Sequence, residues 1–95
     1  MVKYYLANSS IQGVGIFMNM NIPANYFIDV SIKDEFYITP FGSKLNHSWN
    51  ANCVQIKIQD KYYIVSKRPI QKGEEITIDY RNTPSWIKKP DSNWK

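Results

Sequence analysis

Asn46-His47-Ser48 and, further along, Gly73-Glu74-Glu75-Ile76-Thr77-Ile78-Asp79-Tyr80 are the stretches whose joint reading decides the fold. In the second, a Lys72-Gly73 turn leads into a strand from Ile76 to Tyr80. Its alternation directs Ile76 and Ile78 to the core and Thr77 and Asp79 away from it. Glu74 and Glu75 are expected at the surface. In the first, polar residues crowd between apolar neighbours from Gly42 to Cys53. Taken alone, that segment reads as a capped turn with His47 as a satisfied structural histidine. Upstream of both stands Gly13-Val14-Gly15-Ile16-Phe17. A lone Gly-x-Gly lacks the third glycine and the following helix of a dinucleotide fingerprint. It marks either a turn between strands or a place where backbone comes close to a ligand.

Around these stretches the chain reads as mainly β. Val2 to Ala7 is aromatic and β-branched and predicts a strand. Asn8-Ser9-Ser10 predicts a turn, and extended structure resumes at Ile16. Tyr26 to Ile32 is a further strand. Val54 to Gln59 alternates strictly, the mark of a half-buried strand. A turn at Asp60-Lys61 then leads into Tyr62 to Ser66 to complete a hairpin. No segment carries a long helical period, although a helical turn is expected before Asn46. Pro84 and Pro90 break the tail, residues 81–95. One internal echo stands out: Ile22-Pro23-Ala24-Asn25-Tyr26-Phe27-Ile28 has the layout of Ile70-Gln71-Lys72-Gly73-Glu74-Glu75-Ile76. Asn25 stands where Gly73 stands, and both residue types tolerate positive φ.

The chain has 95 residues, so a single domain spanning 1–95 is expected. Hydrophobic residues make up 43% and aromatics 15%, which favours a packed domain over disorder. Net charge is +4, but no long basic run exists, so the lysines read as a solvated surface and nucleic-acid binding is disfavoured. The chain has one cysteine and one histidine, too few for an ordinary zinc site, so no metal is expected. A Cys53–His47 nucleophilic pair is disfavoured because no orienting carboxylate accompanies it. No apolar run approaches membrane-spanning length and no signal peptide is visible, so an intracellular protein without membrane contact is expected.

The three motifs, in this order, resemble the SET-domain protein-lysine methyltransferases. That family carries a Gly-x-Gly near its start, an Asn-His-Ser near its middle and a Gly-Glu-Glu-x-Thr-x-Asp-Tyr near its end. The resemblance runs from about residue 3 to about residue 80 and includes the phrase Ile22 to Ile28 and Gly42 before Asn46. It implies a fold of small β-sheets with a C-terminal pseudoknot that brings Asn46-His47 against Asp79-Tyr80. It also implies methyl transfer from S-adenosyl-L-methionine to a lysine ε-amine of a protein substrate, in a narrow channel. By similarity, Gln12, Gly13, Val14 and Gly15 lie along the cofactor, Asn46 holds its methionine portion and His47 contacts the adenine through its backbone. Tyr80 is the catalytic tyrosine, and Trp86 covers the adenine. Gln55 and Ile78 line the substrate channel.

The departures from the family pattern are informative. Trp49 and Ala51 replace the cysteine and proline that many relatives carry after Asn-His-Ser, so no zinc-bound post-SET module is expected. Ile78 stands where many relatives have Phe or Tyr. Only about thirty residues separate Gly15 from Asn46, and Lys33 to Tyr37 is nearly all that remains of the usual insert. The groove is then shallow, or completed by a second copy in a homodimer, or the chain is a non-catalytic SET-like module that binds cofactor or a protein partner.

Overall fold

The structure, a computed structural model, describes residues 3–90. Val2, the first residue of the expected N-terminal strand, and positions 91–95 of the tail lie outside the described residues. Among the described residues, eight strands form three small sheets. β1 (Tyr4–Asn8) and β2 (Val14–Met18) make an antiparallel pair. β3 (Phe27–Lys33), β4 (Tyr37–Ile38), β6 (Cys53–Ile58) and β7 (Lys61–Ser66) form a four-stranded antiparallel sheet in the order β4-β3-β7-β6. β5 (Asn46–His47) and β8 (Thr77–Ile78) pair in parallel. Two 3-10 turns, Gly42–Lys44 and Tyr80–Asn82, flank that last pair in sequence. The first is the helical turn expected before Asn46.

The core is built from the isoleucines that the alternation points inward. Ile16, Ile64, Ile70 and Ile76 are fully buried, and Met18, Ile28, Leu45 and Cys53 pack with them. Burying a side chain of this size stabilises the fold by about 1.5–3 kcal/mol. Small sheets suffice because each covers the others' apolar faces.

The two echoing phrases meet. Ile22 and Ile70 exchange backbone hydrogen bonds of 2.8 and 2.9 Å. Asn25 and Gly73 both have positive φ, 63° and 93°. A bulged β3 lies beside Gly42, where a Cβ would overlap the Ser31 backbone. That close approach sets where the Gly42–Lys44 turn delivers Leu45 and Asn46.

Four local expectations are revised. The β6–β7 hairpin turns at Gln59-Asp60, one residue early, with Gln59 at φ 58°. The last strand is confined to Thr77–Ile78, since Asp79 caps a 3-10 turn through a bond from the Arg81 N–H. Thr77 is buried rather than outward, because Asn52 binds its backbone N–H. Glu75 is half-buried rather than at the surface, because Ser9 and Asn46 donate to its carboxylate.

Candidate active site

The parallel pairing of β5 with β8 sets Asn46 opposite Thr77 and His47 opposite Ile78. The Ser48 N–H continues the ladder to the Ile78 carbonyl at 3.1 Å. Asn52 secures the same segment. Its Oδ1 accepts the Thr77 N–H at 2.9 Å, and its Nδ2 donates to the Glu75 carbonyl at 2.7 Å. Residues far apart in sequence are thus fixed by backbone contacts, which position side chains more rigidly than loops do.

His47 is 5% exposed, and its Nδ1 accepts the Tyr80 N–H at 3.0 Å. The ring proton is therefore on Nε2. Burial pushes the imidazole below its ordinary value, outweighing the Asp79 carboxylate 3.9 Å away, and Arg81 adds to the lowering. The imidazole beside the Asp79 carboxylate is accordingly neutral, and the contact is not an ion pair. Trp49 meets the His47 ring edge-on at 4.4 Å, and Arg81 lies over Trp49 at 4.9 Å. Arg81 also binds the Asp79 carboxylate and holds it below the usual carboxylate range.

Tyr80 donates its phenol proton to the Leu45 carbonyl at 2.6 Å. Burial raises its pKa, so it stays protonated at neutral pH and is not a base. Both groups line a cavity of about 360 Å³ whose other walls include Ile38, Gln55, Ile78 and Ile87. Gln55 and Ile78, the two expected channel residues, therefore do lie with Tyr80. They also wall a second cavity of about 260 Å³ beside Trp49 and Asp79. Ser31 gives its hydroxyl proton to the Tyr62 carbonyl and accepts from Gln55 Nε2 at 2.7 Å. That fixes the amide and leaves Gln55 Oε1 buried without a partner among the described residues. Cys53 is 1% exposed, and burial lifts its thiol to about 12, which removes it as a nucleophile.

The Gly-x-Gly segment joins the site through side chains. Asn46 Nδ2 donates to the Gln12 carbonyl at 3.1 Å and to Glu75 Oε2 at 2.8 Å. Ser9 Oγ donates to the same carboxylate at 2.8 Å and accepts the Ile11 N–H at 2.9 Å. The Ser9 N–H bonds the Gly13 carbonyl at 2.7 Å, closing the turn. A Cβ on Gly15 would overlap the Glu75 carboxylate. Gly15 thus admits a close approach, made by Glu75. Val14 is exposed on the strand that follows. Trp86 is 41% exposed and packs on Phe36 at 5.8 Å, on the tail that also supplies Ile87 to the larger cavity. Its adenine role rests on resemblance alone. Among the described residues no group of three or more His, Cys, Asp or Glu converges as metal ligands.

Sequence reading missed Glu75, Ser9 and the Leu45 carbonyl. The one available signal was Gly15: a glycine inside a strand often marks close approach by a neighbour.

The SET domain family model matches residues 4–81. The chain belongs to the SET-domain family. It is also similar to a histone-lysine N-methyltransferase, H3 lysine-36 specific, of Mycosarcoma maydis, at 36% identity over 74 residues. That match covers 74% of this chain and 7% of the relative, so the chain spans a small part of that protein's length. Among solved structures, a candidate histone methyltransferase of Plasmodium falciparum superposes with a TM-score of 0.69 at 24% identity. The superposition covers 93% of this chain and 99% of that one and supports the fold. In this SET domain the β5–β8 pair brings the Asn-His-Ser and Asp-Tyr motifs together, and the Glu75 carboxylate joins the Gly-x-Gly turn to both.

Proposed function

We propose that this SET domain is an S-adenosyl-L-methionine-dependent protein-lysine N-methyltransferase. The observation that carries the reading is the Tyr80 phenol fixed on the Leu45 carbonyl at the wall of a largely apolar cavity, next in the chain to Asn46-His47. On the Gly-x-Gly side the Gln12 carbonyl and the Glu75 carboxylate are acceptors that share the Asn46 Nδ2 donor, which leaves the Asn46 amide oxygen as a further acceptor for a ligand. Such a set fits a cofactor that carries an ammonium and a sulfonium. When bound, that cofactor supplies an electrophilic methyl group on a cationic sulfur. The chain's own residues supply the rest. Gln12, the Gly13–Gly15 segment, Asn46 and His47 would hold the cofactor.

A free lysine has a pKa near ~10.4, and its neutralisation at pH 7 costs about 4.6 kcal/mol. Apolar walls such as Ile38, Ile78 and Ile87 disfavour the charged form and lower that cost. The Gln55 Oε1 atom, left without a partner among the described residues, suits an N–H of the incoming amine. Tyr80 commits its proton to Leu45, so toward the channel it offers lone pairs, which suit a polarised methyl C–H. With no proton to give or take at neutral pH, Tyr80 aligns rather than titrates.

Incubating the chain with methyl-labelled cofactor and a mixture of basic proteins, histones included, tests the reading. Label should appear on lysine, and Tyr80→Phe should lower the rate by about a hundredfold, the scale of losing one preorganised contact. Cofactor binding without transfer to any protein would favour the non-catalytic module suggested by the short Lys33–Tyr37 segment. No binding at all would overturn both.

A further inference from the structure

We propose that Glu75 is a positioning residue that locks the Asn46 amide with its oxygen toward the ligand, so that the site selects the α-ammonium group of the cofactor. The inference rests on the cofactor reading above and adds a determinant to it. An asparagine amide has a donor end and an acceptor end. Here both N–H groups of Asn46 are engaged, one by the Gln12 carbonyl at 3.1 Å and one by Glu75 Oε2 at 2.8 Å. Neither partner can donate, so turning the amide over would set its oxygen against two acceptors. The orientation is thereby fixed, and Oδ1 is the atom left for a ligand. An acceptor there calls for a donor, and the ammonium is the donor on the aminoacyl end of the cofactor.

The charge points the same way. Glu75 is half-buried, and the hydrogen bonds to its side chain come from two neutral groups, Ser9 and Asn46. It takes part in none of the ion pairs among the described residues. A shielded carboxylate answered only by neutral donors is costly unless a cation comes near. Ser9 Oγ, which touches both carboxylate oxygens, also receives the Ile11 N–H. The same carboxylate therefore ties the Ser9–Gly13 turn to Asn46. Gly15 completes the device, since any side chain there would displace the carboxylate.

The test compares two ligands on the intact chain by titration calorimetry: S-adenosylhomocysteine, and its deaminated analogue, which keeps the carboxylate and the adenosine but lacks the ammonium. Wild type should prefer the amine-bearing ligand by about tenfold or more, the scale of one charge-assisted hydrogen bond. Glu75→Gln replaces one of the two obligate acceptors by an amide that can also donate and removes the carboxylate charge, so the preference should fall toward about one, as a binding cycle reports. A purely structural role would weaken both ligands alike and keep the ratio, which would overturn the inference. A wild-type ratio near one would overturn it too. If Glu75→Gln does not fold, Gly15→Ala, which displaces the carboxylate, should show the same collapse of the ratio; an unchanged ratio there is equally fatal. Wild type binding neither ligand would instead remove the cofactor reading itself.

Discussion

Ile22–Ile28 and Ile70–Ile76 begin as the same object and end as different ones. In each, the residue at positive φ donates its N–H to a strand end: Asn25 to the Ser66 carbonyl and Gly73 to the Met18 carbonyl, both at 2.8 Å. In each, that strand end donates back, Ser66 to Tyr26 at 3.1 Å and Met18 to Glu74 at 3.0 Å. The next residue pairs across, Phe27 with Val65 and Glu75 with Phe17. The correspondence reaches back along β2 and β7, so that Tyr63 opposes Phe27's ring where Gly15 receives Glu75's carboxylate. Then the copies diverge. The first runs on as β3 in the four-stranded sheet, while the second leaves after Ile76 to lie parallel to β5. One copy is scaffold. The other uses the same turn to carry an acidic side chain and the phenol into the site. A half-buried carboxylate, where the other copy has an exposed phenylalanine, is the inversion of ordinary surface preference that functional positions show.

The largest expected effects test the part that is shared. Ile28 and Ile76 are 2% and 0% exposed at matching positions. Ile28→Ala and Ile76→Ala should each cost about 2–5 kcal/mol in urea unfolding, the range for deleting a buried isoleucine's branches. Costs differing by more than about 2 kcal/mol would break the equivalence of the two copies.

A smaller effect should rank the turns. At Gly73 a Cβ meets nothing within 4 Å, so the cost of Gly73→Ala is conformational alone. Its φ of 93° lies outside the left-handed basin that holds Asn25 at 63°. Gly73→Ala should therefore destabilise by about 1–2 kcal/mol, and Asn25→Ala by less. A reversed order in thermal melts would mean that the Asn25 side chain, not its backbone, holds the first turn.

How much of this was legible follows from where each signal lives. The echo and the alternating strands were readable because each is written in local spacing, and the meeting of Asn46-His47 with Asp79-Tyr80 was readable only through the resemblance of the motifs to the family. Strands β4 and β5 were not, since a two-residue strand has no period and exists only through its partner; β8 was legible as a strand, but its end at Ile78 was not. Glu75 read as surface because an acidic residue after a glycine turn ordinarily is, and its partners Ser9 and Asn46 lie far away in sequence. Thr77 read as outward because alternation cannot foresee that Asn52 supplies both a donor and an acceptor to it. Gln59 carries none of the usual turn chemistry, so the hairpin was expected one residue late. Tyr80 was legible as a residue through resemblance, but its bond to the Leu45 carbonyl is a product of the β5–β8 pairing.

The gentlest prediction separates the copies by acid. Only the second copy's extension involves a histidine: His47 Nδ1 must be unprotonated to accept the Tyr80 N–H. Burial lowers its pKa from 6.5 in the folded chain. The unfolded chain therefore binds more protons as pH falls below 6.5, and unfolding is favoured there. The contribution is full above that value and is lost as pH drops through the lowered folded-state pKa. Asp79, also lowered, from 3.8, adds a second loss at more acid pH. Hydrogen exchange should show the Tyr80 amide losing protection in mild acid while amides of the β3–β7 ladder keep theirs. Replacing His47 by Gln, which cannot titrate, should flatten the first step and leave the second. Equal loss of protection in both ladders would mean that the two copies open as one unit, and that β5–β8 is no separate appendage on a shared frame.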